Sequence, residues 1–216
     1  MLRRLKMLGA AAVAVVLMAG SAQAATVIDF TTGLAGEGGT ISWDGTNLIG
    51  SNIPIGAVTI AGAPANNGVF MVSGTASGSG GSGFGSLDFD TNADNNFINI
   101  MGCIGDLGVG TDSGSCQPIA LMSGTFEGWT ATGNGLLNAF GFDTKNQELL
   151  DAIEWPAEIP WEFFGVAIAT GTLSPDGTPG AVISTDIKNT AVPEPATMML
   201  LGTGLLAAFR ARRRQA

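Results

Sequence analysis

The sequence predicts an all-β exported domain of the antiparallel β-sandwich or jelly-roll type. Residues 25–191 are rich in glycine, serine, threonine and asparagine, and they show no sustained helical periodicity. Short runs of β-branched and aromatic residues instead alternate with turn residues, a pattern typical of many short antiparallel strands. A segment of this length can form a single core that buries about 70% of its extended-chain surface.

Ten segments fit the strand pattern. They are residues 26–31, 39–43, 57–61, 68–74, 84–90, 97–101, 119–131, 136–143, 163–171 and 181–187. Several of them are separated by turns with glycine, which readily adopts the positive φ that tight turns require. These turns are Asp44-Gly45, Asn134-Gly135 and Pro175-Asp176-Gly177.

Two segments depart from the strand pattern. Residues 144–153 predict a short helix, in which Thr144 and Gln147 form a capping box and Pro156 follows the end. Residues 73–86 form a Gly/Ser tract that favours a flexible loop. The other interpretation of this tract is a pair of glycine-rich strands.

The two cysteines, Cys103 and Cys116, both fall in the predicted exported domain. An even number of cysteines in an oxidising compartment indicates a disulfide. A redox pair or a metal site would need C-x-x-C spacing or further soft ligands, which the sequence lacks. We therefore expect a structural disulfide.

A polar cluster spans residues 88–96, where Asp88, Asp90, Asn92 and Asp94 recur at every second position. This spacing resembles the first ligands of a calcium loop, although alanine replaces the usual glycine and Asn99 replaces the usual glutamate. If the segment is an extended strand, the same spacing places these side chains on its solvated face. Calcium is thus the one cofactor that the sequence leaves open.

Catalytic residue types are largely missing. The chain has no histidine and no tyrosine, which excludes histidine-based triads and histidine metal sites. Pairs of carboxylates of the glycosidase type remain, with tryptophans as sugar platforms. The candidates are Glu127, Asp143, Glu154 and Glu158, with Trp43, Trp129, Trp155 and Trp161. We favour the interpretation in which these acids are solvated and the tryptophans pack in or around the core. We therefore predict that the protein is not an enzyme.

Charge is distributed unevenly along the chain. Of nine basic residues, only Lys145 and Lys188 lie between residues 25 and 192, together with every acidic residue except Glu194. An acidic surface of this kind repels phosphate backbones. Nucleic acid is therefore excluded as a partner.

The N-terminal residues 1–24 have the features of a Sec-type signal peptide. Three basic residues precede an apolar run over residues 7–19, and small residues ending at Ala24 form a cleavage site for signal peptidase. Thirteen apolar residues are too few for a helix that spans a bilayer, which needs about 20. We expect export through the Sec translocon and removal of this segment.

The C-terminal residues 192–214 combine three features. The motif Val192, Pro193, Glu194 and Pro195 precedes an uncharged segment, residues 196–209, which we predict to form a transmembrane helix. Its length of about 21 Å is short for a permanent anchor. The basic tail that follows holds this end in the cytoplasm and leaves the domain outside. The tail contains Arg210, Arg212, Arg213 and Arg214.

This order of motif, helix and arginine tail resembles the PEP-CTERM sorting signal of Gram-negative bacteria. The resemblance is limited to about residues 192–214 and extends to no residue of the β domain. It implies an exosortase as partner, transient anchoring in the inner membrane, and processing near the motif on the way to the cell surface. It also implies a link to biofilm or exopolysaccharide. We expect a non-catalytic surface or matrix protein; the alternative is a carbohydrate-binding or carbohydrate-active protein with paired carboxylates.

Overall fold

The computed structural model describes residues 27–132, 135–156 and 163–190. In these residues it contains the strands β1 (Val27–Thr31), β2 (Thr40–Trp43), β3 (Leu48–Ile55), β4 (Ala57–Ala61), β5 (Gly68–Met71), β6 (Ser73–Gly78), β7 (Gly81–Asp90), β8 (Phe97–Gly102), β9 (Thr111–Asp112), β10 (Ser115–Cys116), β11 (Ile119–Thr132), β12 (Leu136–Lys145), β13 (Phe163–Thr170) and β14 (Gly180–Thr190). One α-helix, α1 (Gln147–Ala152), and two 3-10 turns, Gly33–Ala35 and Gly105–Leu107, complete the described elements.

The main sheet closes on itself. Its eight strands follow the order β13-β12-β11-β8-β7-β3-β2-β14, and β14 pairs again with β13. All these pairings are antiparallel. The all-β prediction is therefore confirmed, whereas the predicted sandwich is not, because the strands form one closed sheet.

Strand β14 connects the closed sheet to three further strands. Its first residues pair with β2, and residues 186–190 pair with β1, which continues the sheet through β4 to β5. The long β14 can pair with both β2 and β1 on one edge, because each of these strands pairs with a different part of β14.

Alternation along the strands separates the core from the outer surface. On β12, Leu137 and Ala139 are buried, whereas Phe140 and Phe142 are about half exposed. Side chains of a strand point alternately to the two faces, so this pattern marks the inward and outward faces of the sheet. The inward residues join one apolar cluster, which includes the edge-on contacts of Phe126 with Phe89 and Phe164.

Two predictions about strands need correction. The Gly/Ser tract is not a loop, because β6 and the start of β7 form an antiparallel hairpin within it. Strand β3 was not predicted, because its glycine, asparagine and proline residues are unfavourable for a strand. The register of β3 against β7 shifts between Gly50 and Ile53, and Asn52 in between adopts a φ of 52°. A bulge thus accommodates the residues that concealed this strand.

The predicted helix is confirmed, but a different residue caps it. Asn146 is the N-cap, and its side chain accepts a hydrogen bond from the backbone N–H of Glu148. Thr144 instead belongs to β12. The glycines of the predicted turns have the expected positive φ, with 88° at Gly45, 81° at Gly135 and 83° at Gly177, whereas Asn134 lies outside the described residues.

The predicted signal peptide and the C-terminal helix over residues 196–209 lie outside the described residues. Within the described ranges, none of the helices has the length and apolar character needed to cross a membrane.

Candidate functional site

The most unusual chemistry in the described residues lies inside the closed sheet. Asp143 and Lys145 are on the inward face of β12, and Asn189 is on β14; all three are buried. We call these residues the interior polar cluster. Both β12 and β14 run antiparallel to β13, so their C-terminal ends lie at the same end of the sheet. Topology therefore brings together residues that are distant in sequence.

The lysine is the centre of the cluster. Its Nζ donates to Asp143 Oδ2 and, over 2.9 Å, to Asn189 Oδ1. Neither the lysine nor the aspartate side chain is accessible to solvent. The Asn189 Nδ2 donates to the backbone oxygens of Ile28 at 3.1 Å and Ile187 at 3.3 Å, which holds the amide oxygen towards the lysine.

Burial controls the electrostatics of this cluster. Desolvation lowers the pKa of Lys145 well below its ordinary value, because the charged ammonium loses contact with water. Asp143 Oδ1 is buried and has no hydrogen-bond partner among the described residues. A buried ion pair with an unsatisfied oxygen is costly, since its attraction must offset the desolvation of both charges.

Glycines on β11 and β12 allow close packing around the cluster. Gly124 on β11 is the register partner of Asp143, and a Cβ at this position would lie 2.8 Å from Asp143 Cβ. Gly141, two residues before Asp143, is also closely packed: a Cβ there would lie 2.0 Å from the backbone oxygen of Thr125 and 2.9 Å from Phe164 Cε1. Larger residues at either position would displace the neighbours of the cluster.

Asp143 was predicted only as one member of a carboxylate pair, and its partners Lys145 and Asn189 were not predicted. A usable signal was present in β12. Alternate positions from Leu137 onward are apolar or glycine, and the same alternation continues through Asp143 to Lys145. Charged residues at the strand positions whose side chains face the core indicate a buried ion pair.

A second electrostatic feature lies between β1 and β14. The pKa of Asp29 is raised to about 6, mainly by burial, and then by a hydrogen bond and charge repulsion from Asp186. Lys188, the register partner of Asp29, acts in the opposite direction. Asp29 therefore binds a proton more readily than an ordinary aspartate in weakly acidic conditions. No sequence motif predicted it, because the contact depends on the pairing of the first and last described strands.

Of the predicted calcium residues, Asp88 and the buried Asp90 lie at the end of β7, whereas Asn92 and Asp94 lie in the turn to β8. Asp88 Oδ1 accepts the backbone N–H of Asn52 at 2.8 Å, and Asp90 Oδ1 accepts that of Asn92 at 2.8 Å. Asn92 Oδ1 in turn accepts the N–H of Asp94 at 3.0 Å. Among the residues that the structure describes, no three acidic, cysteine or histidine side chains are grouped to hold a metal ion. Calcium binding here stays a prediction.

The candidate glycosidase carboxylates occupy different environments. Asp143 is buried in the interior, whereas Glu127 is exposed at a bulge of β11 and Glu154 is exposed after α1. Glu158 and Trp161 lie outside the described residues. The other candidate tryptophans are half-buried and pack against the apolar core: Trp43, Trp129 and Trp155.

The predicted disulfide is formed. Cys103 and Cys116 are bonded, with 5.7 Å between their Cα atoms, and they close a loop that contains the β9–β10 hairpin. Cys103 is buried and exchanges two backbone hydrogen bonds with Ser73. The disulfide thus attaches an exposed loop to the core and stabilises the fold by about 3 kcal/mol.

Comparison with known proteins gives one result, and it concerns the end of the chain. A search of curated proteins and a search of solved structures each found no match. A family model of the PEP-CTERM protein-sorting motif matches residues 191–214, which include the predicted motif from Val192 to Pro195 and the arginine tail. The motif implies export and processing by an exosortase, with a destination at the cell surface or outside the cell. The chain therefore carries a PEP-CTERM protein-sorting motif at its C-terminal end.

Proposed function

We propose that this chain is a structural surface or extracellular-matrix protein of a Gram-negative bacterium, associated with biofilm or exopolysaccharide, whose β domain is not catalytic. The sorting motif at residues 191–214 carries this proposal. The Sec translocon exports the chain and signal peptidase removes residues 1–24. The segment 196–209 then holds the precursor in the inner membrane until the exosortase acts.

The positions of the carboxylates support a non-catalytic role. A glycosidase needs two carboxyl groups that flank one bond, about 5 to 10 Å apart. Here Asp143 is enclosed in the core and bonded to a lysine, while Glu127 and Glu154 are exposed on separate elements. A rigid β domain with a filled interior suits a surface or matrix component.

Sorting is tested by replacing Pro193, Glu194 and Pro195 with alanine in the full-length chain. We expect a membrane-retained precursor of undiminished mass, measured by fractionation and mass spectrometry, while the wild type reaches the surface or the medium in a shorter form. Deletion of the host exosortase should have the same effect. If the triple variant reaches the surface with the mature size of the wild type, the sorting function is wrong.

A matched control changes the same residue types away from the motif. Pro175 and Asp176 lie in the exposed turn between β13 and β14. Their replacement by alanine should leave sorting and mature size unchanged, because this turn belongs to the domain and not to the signal.

The role of the β domain is tested with the protein recovered from the cell surface. A panel of polysaccharides should show no release of sugar ends, whether or not the protein binds them. Release of reducing ends would instead favour the carbohydrate-active alternative.

Melting the same protein with and without calcium tests the β7–β8 turn, where a rise in Tm would assign a stabilising ion to Asp88, Asp90, Asn92 and Asp94.

A further inference from the structure

We propose that the interior polar cluster forms an intramolecular amide bond between Lys145 Nζ and Asn189 Cγ, with Asp143 as the proton-transfer group. The mature β domain would then contain a second covalent cross-link besides the disulfide. This inference concerns the folded domain and does not depend on how the chain is sorted.

The geometry places the two reacting groups together. Lys145 Nζ lies 2.9 Å from Asn189 Oδ1, and the carbonyl carbon Cγ is one bond beyond that oxygen. A small rotation of the lysine side chain brings the amine to an attack distance of about 3 to 3.5 Å. The two backbone hydrogen bonds made by Asn189 Nδ2 prevent the amide from turning away. The acyl group is therefore fixed while the flexible lysine approaches it.

The environment favours the nucleophilic form of the lysine. An ammonium ion cannot attack a carbonyl, so a proton must leave first. Burial lowers the pKa of Lys145, and the carboxylate of Asp143 is in direct contact to accept that proton. Because both side chains are inaccessible to solvent, water competes with neither the proton transfer nor the attack.

The reaction balances without any co-reactant. Asp143 takes a proton from the Lys145 ammonium, and the amine nitrogen attacks Asn189 Cγ to form a C–N bond. Asp143 returns a proton to Asn189 Nδ2, the original C–N bond breaks, and the attacking nitrogen gives up a second proton to Asp143. The ammonium, carboxylate and primary amide become a secondary amide, a carboxylic acid and one molecule of ammonia. Nothing is oxidised or reduced.

The exchange of charged for neutral groups supplies a physical reason for the reaction. Before it, the core holds an ammonium and a carboxylate, whose desolvation is unfavourable. Afterwards it holds an amide and a neutral acid, and the released ammonia is diluted into the solvent. The new bond connects β12 to β14 across β13 and joins residues that are 44 positions apart.

The side-chain amide of Asn189 is a better acyl donor to the lysine amine than the carboxylate of Asp143. Asp143 also contacts the lysine, but its carboxylate carries a negative charge that repels a nucleophile, and a bond to it would release water and not ammonia. It would also connect positions two residues apart on one strand, without joining separate strands. The two products therefore differ in mass and in the peptides that they join.

The test uses the wild-type protein recovered from its host, reduced and alkylated before intact mass measurement. We expect a mass below that of the processed sequence by one ammonia. Trypsin provides a second readout because the domain has only two lysines, Lys145 and Lys188. In the unfolded protein it should cut after Lys188 but not after Lys145, and a branched peptide should join Lys145 to the peptide that begins at Asn189.

Variants identify the side chains that form the amide bond and the one that transfers the proton. Lys145→Arg and Asn189→Ala should each have the full sequence mass, and trypsin should cut Lys145→Arg at position 145. Asp143→Asn should form the bond about 100-fold more slowly or not at all. Lys188→Arg is the matched control, since this exposed lysine contacts neither Asp143 nor Asn189 in the described hydrogen bonds, and it should keep the loss of ammonia. Without the bond, we expect Tm to fall by roughly 10 °C.

Full sequence mass in the wild type, with ordinary cleavage at Lys145, would overturn the proposal. A loss of water with a link to Asp143 would overturn the assignment of Asn189. Because the main measurement is made on the wild type, failure of a variant to fold does not affect it.

Discussion

The two lysines of the β domain lie in opposite surroundings. Lys145 is inside the closed sheet, with no solvent access, and it contacts Asp143 and Asn189. Lys188 is exposed on β14, where it neighbours the carboxylates of Asp29 and Asp186. Both are the same residue type in an acidic domain, but only the first has been removed from water.

This difference shows that the environment of a charge decides its role. An exposed lysine among carboxylates is screened by solvent and contributes little to stability. A buried lysine must be satisfied by a few specific atoms, and losing any one of them is costly. The buried lysine therefore specifies structure, whereas the exposed one lowers the pKa of Asp29.

The largest predicted effect is the removal of the buried charge. Lys145→Met keeps most of the side-chain volume but leaves the Asp143 carboxyl in the core without its cationic partner. We expect the free energy of unfolding to fall by about 3–5 kcal/mol, measured by urea denaturation. The double variant Asp143→Leu, Lys145→Met should be more stable than Lys145→Met, because it also removes the unpartnered carboxyl, but it should stay less stable than the wild type because it lacks the proposed amide bond. A double variant as unstable as the single one would contradict this account.

The next effect tests the space that the cluster requires. Gly124→Ala would place a Cβ 2.3 Å from the backbone oxygen of Phe142 and 2.8 Å from Asp143 Cβ, so the strand that carries Asp143 must shift. We expect a loss of about 1–3 kcal/mol in unfolding free energy. Gly165→Ala on β13 is the matched control, since no atom lies within 4 Å of its added Cβ. Equal losses in the two variants would show that the packing around Asp143 is looser than described.

A smaller effect should appear in the pH dependence near the exposed lysine. The pKa of Asp29 is raised from 3.8 to about 6 in the folded protein. Between about pH 4 and pH 6 the folded state therefore binds more protons than the unfolded state, and stability falls as pH rises through this window. The full shift corresponds to about 3 kcal/mol. Because Asp29 is only half-buried, solvent screening reduces the expected effect to about 1 kcal/mol.

Asp29→Asn isolates this contribution. The variant should lose the decrease in stability between about pH 4 and pH 6, while the wild type keeps it, as measured by urea unfolding across this range. Asp186→Asn should lower the pKa of Asp29, because it removes the neighbouring negative charge. Identical pH profiles for the wild type and Asp29→Asn would contradict the assignment.

The smallest effect completes the comparison. Lys188→Met should change the unfolding free energy by less than about 1 kcal/mol, since the lysine is exposed and screened. It should also raise the pKa of Asp29 further, because Lys188 lowers it in the wild type. An NMR titration of the Asp29 carboxyl measures this directly. A loss as large as that of Lys145→Met would remove the distinction between the two lysines.

Strands and turns were predictable wherever local sequence carried their pattern. The alternation in β12, the turn at Gly45 and the helix before Trp155 all depend on residues close in the chain. Strand β3 was missed because its bulge tolerates residues that strands usually avoid. The Gly/Ser hairpin was predicted as a loop because small residues pack well only when a partner strand is present.

Composition and linear motifs were enough to predict an acidic all-β domain, its disulfide and the PEP-CTERM signal, because each is encoded by residue types or by short spacing. Closure of the sheet was not predictable in this way, since it requires β13 to meet β14 while β12 lies on its other edge. The interior polar cluster depends on that closure. Asn189 lies 44 residues from Lys145, and only the three-dimensional pairing of the strands brings its amide to the buried amine.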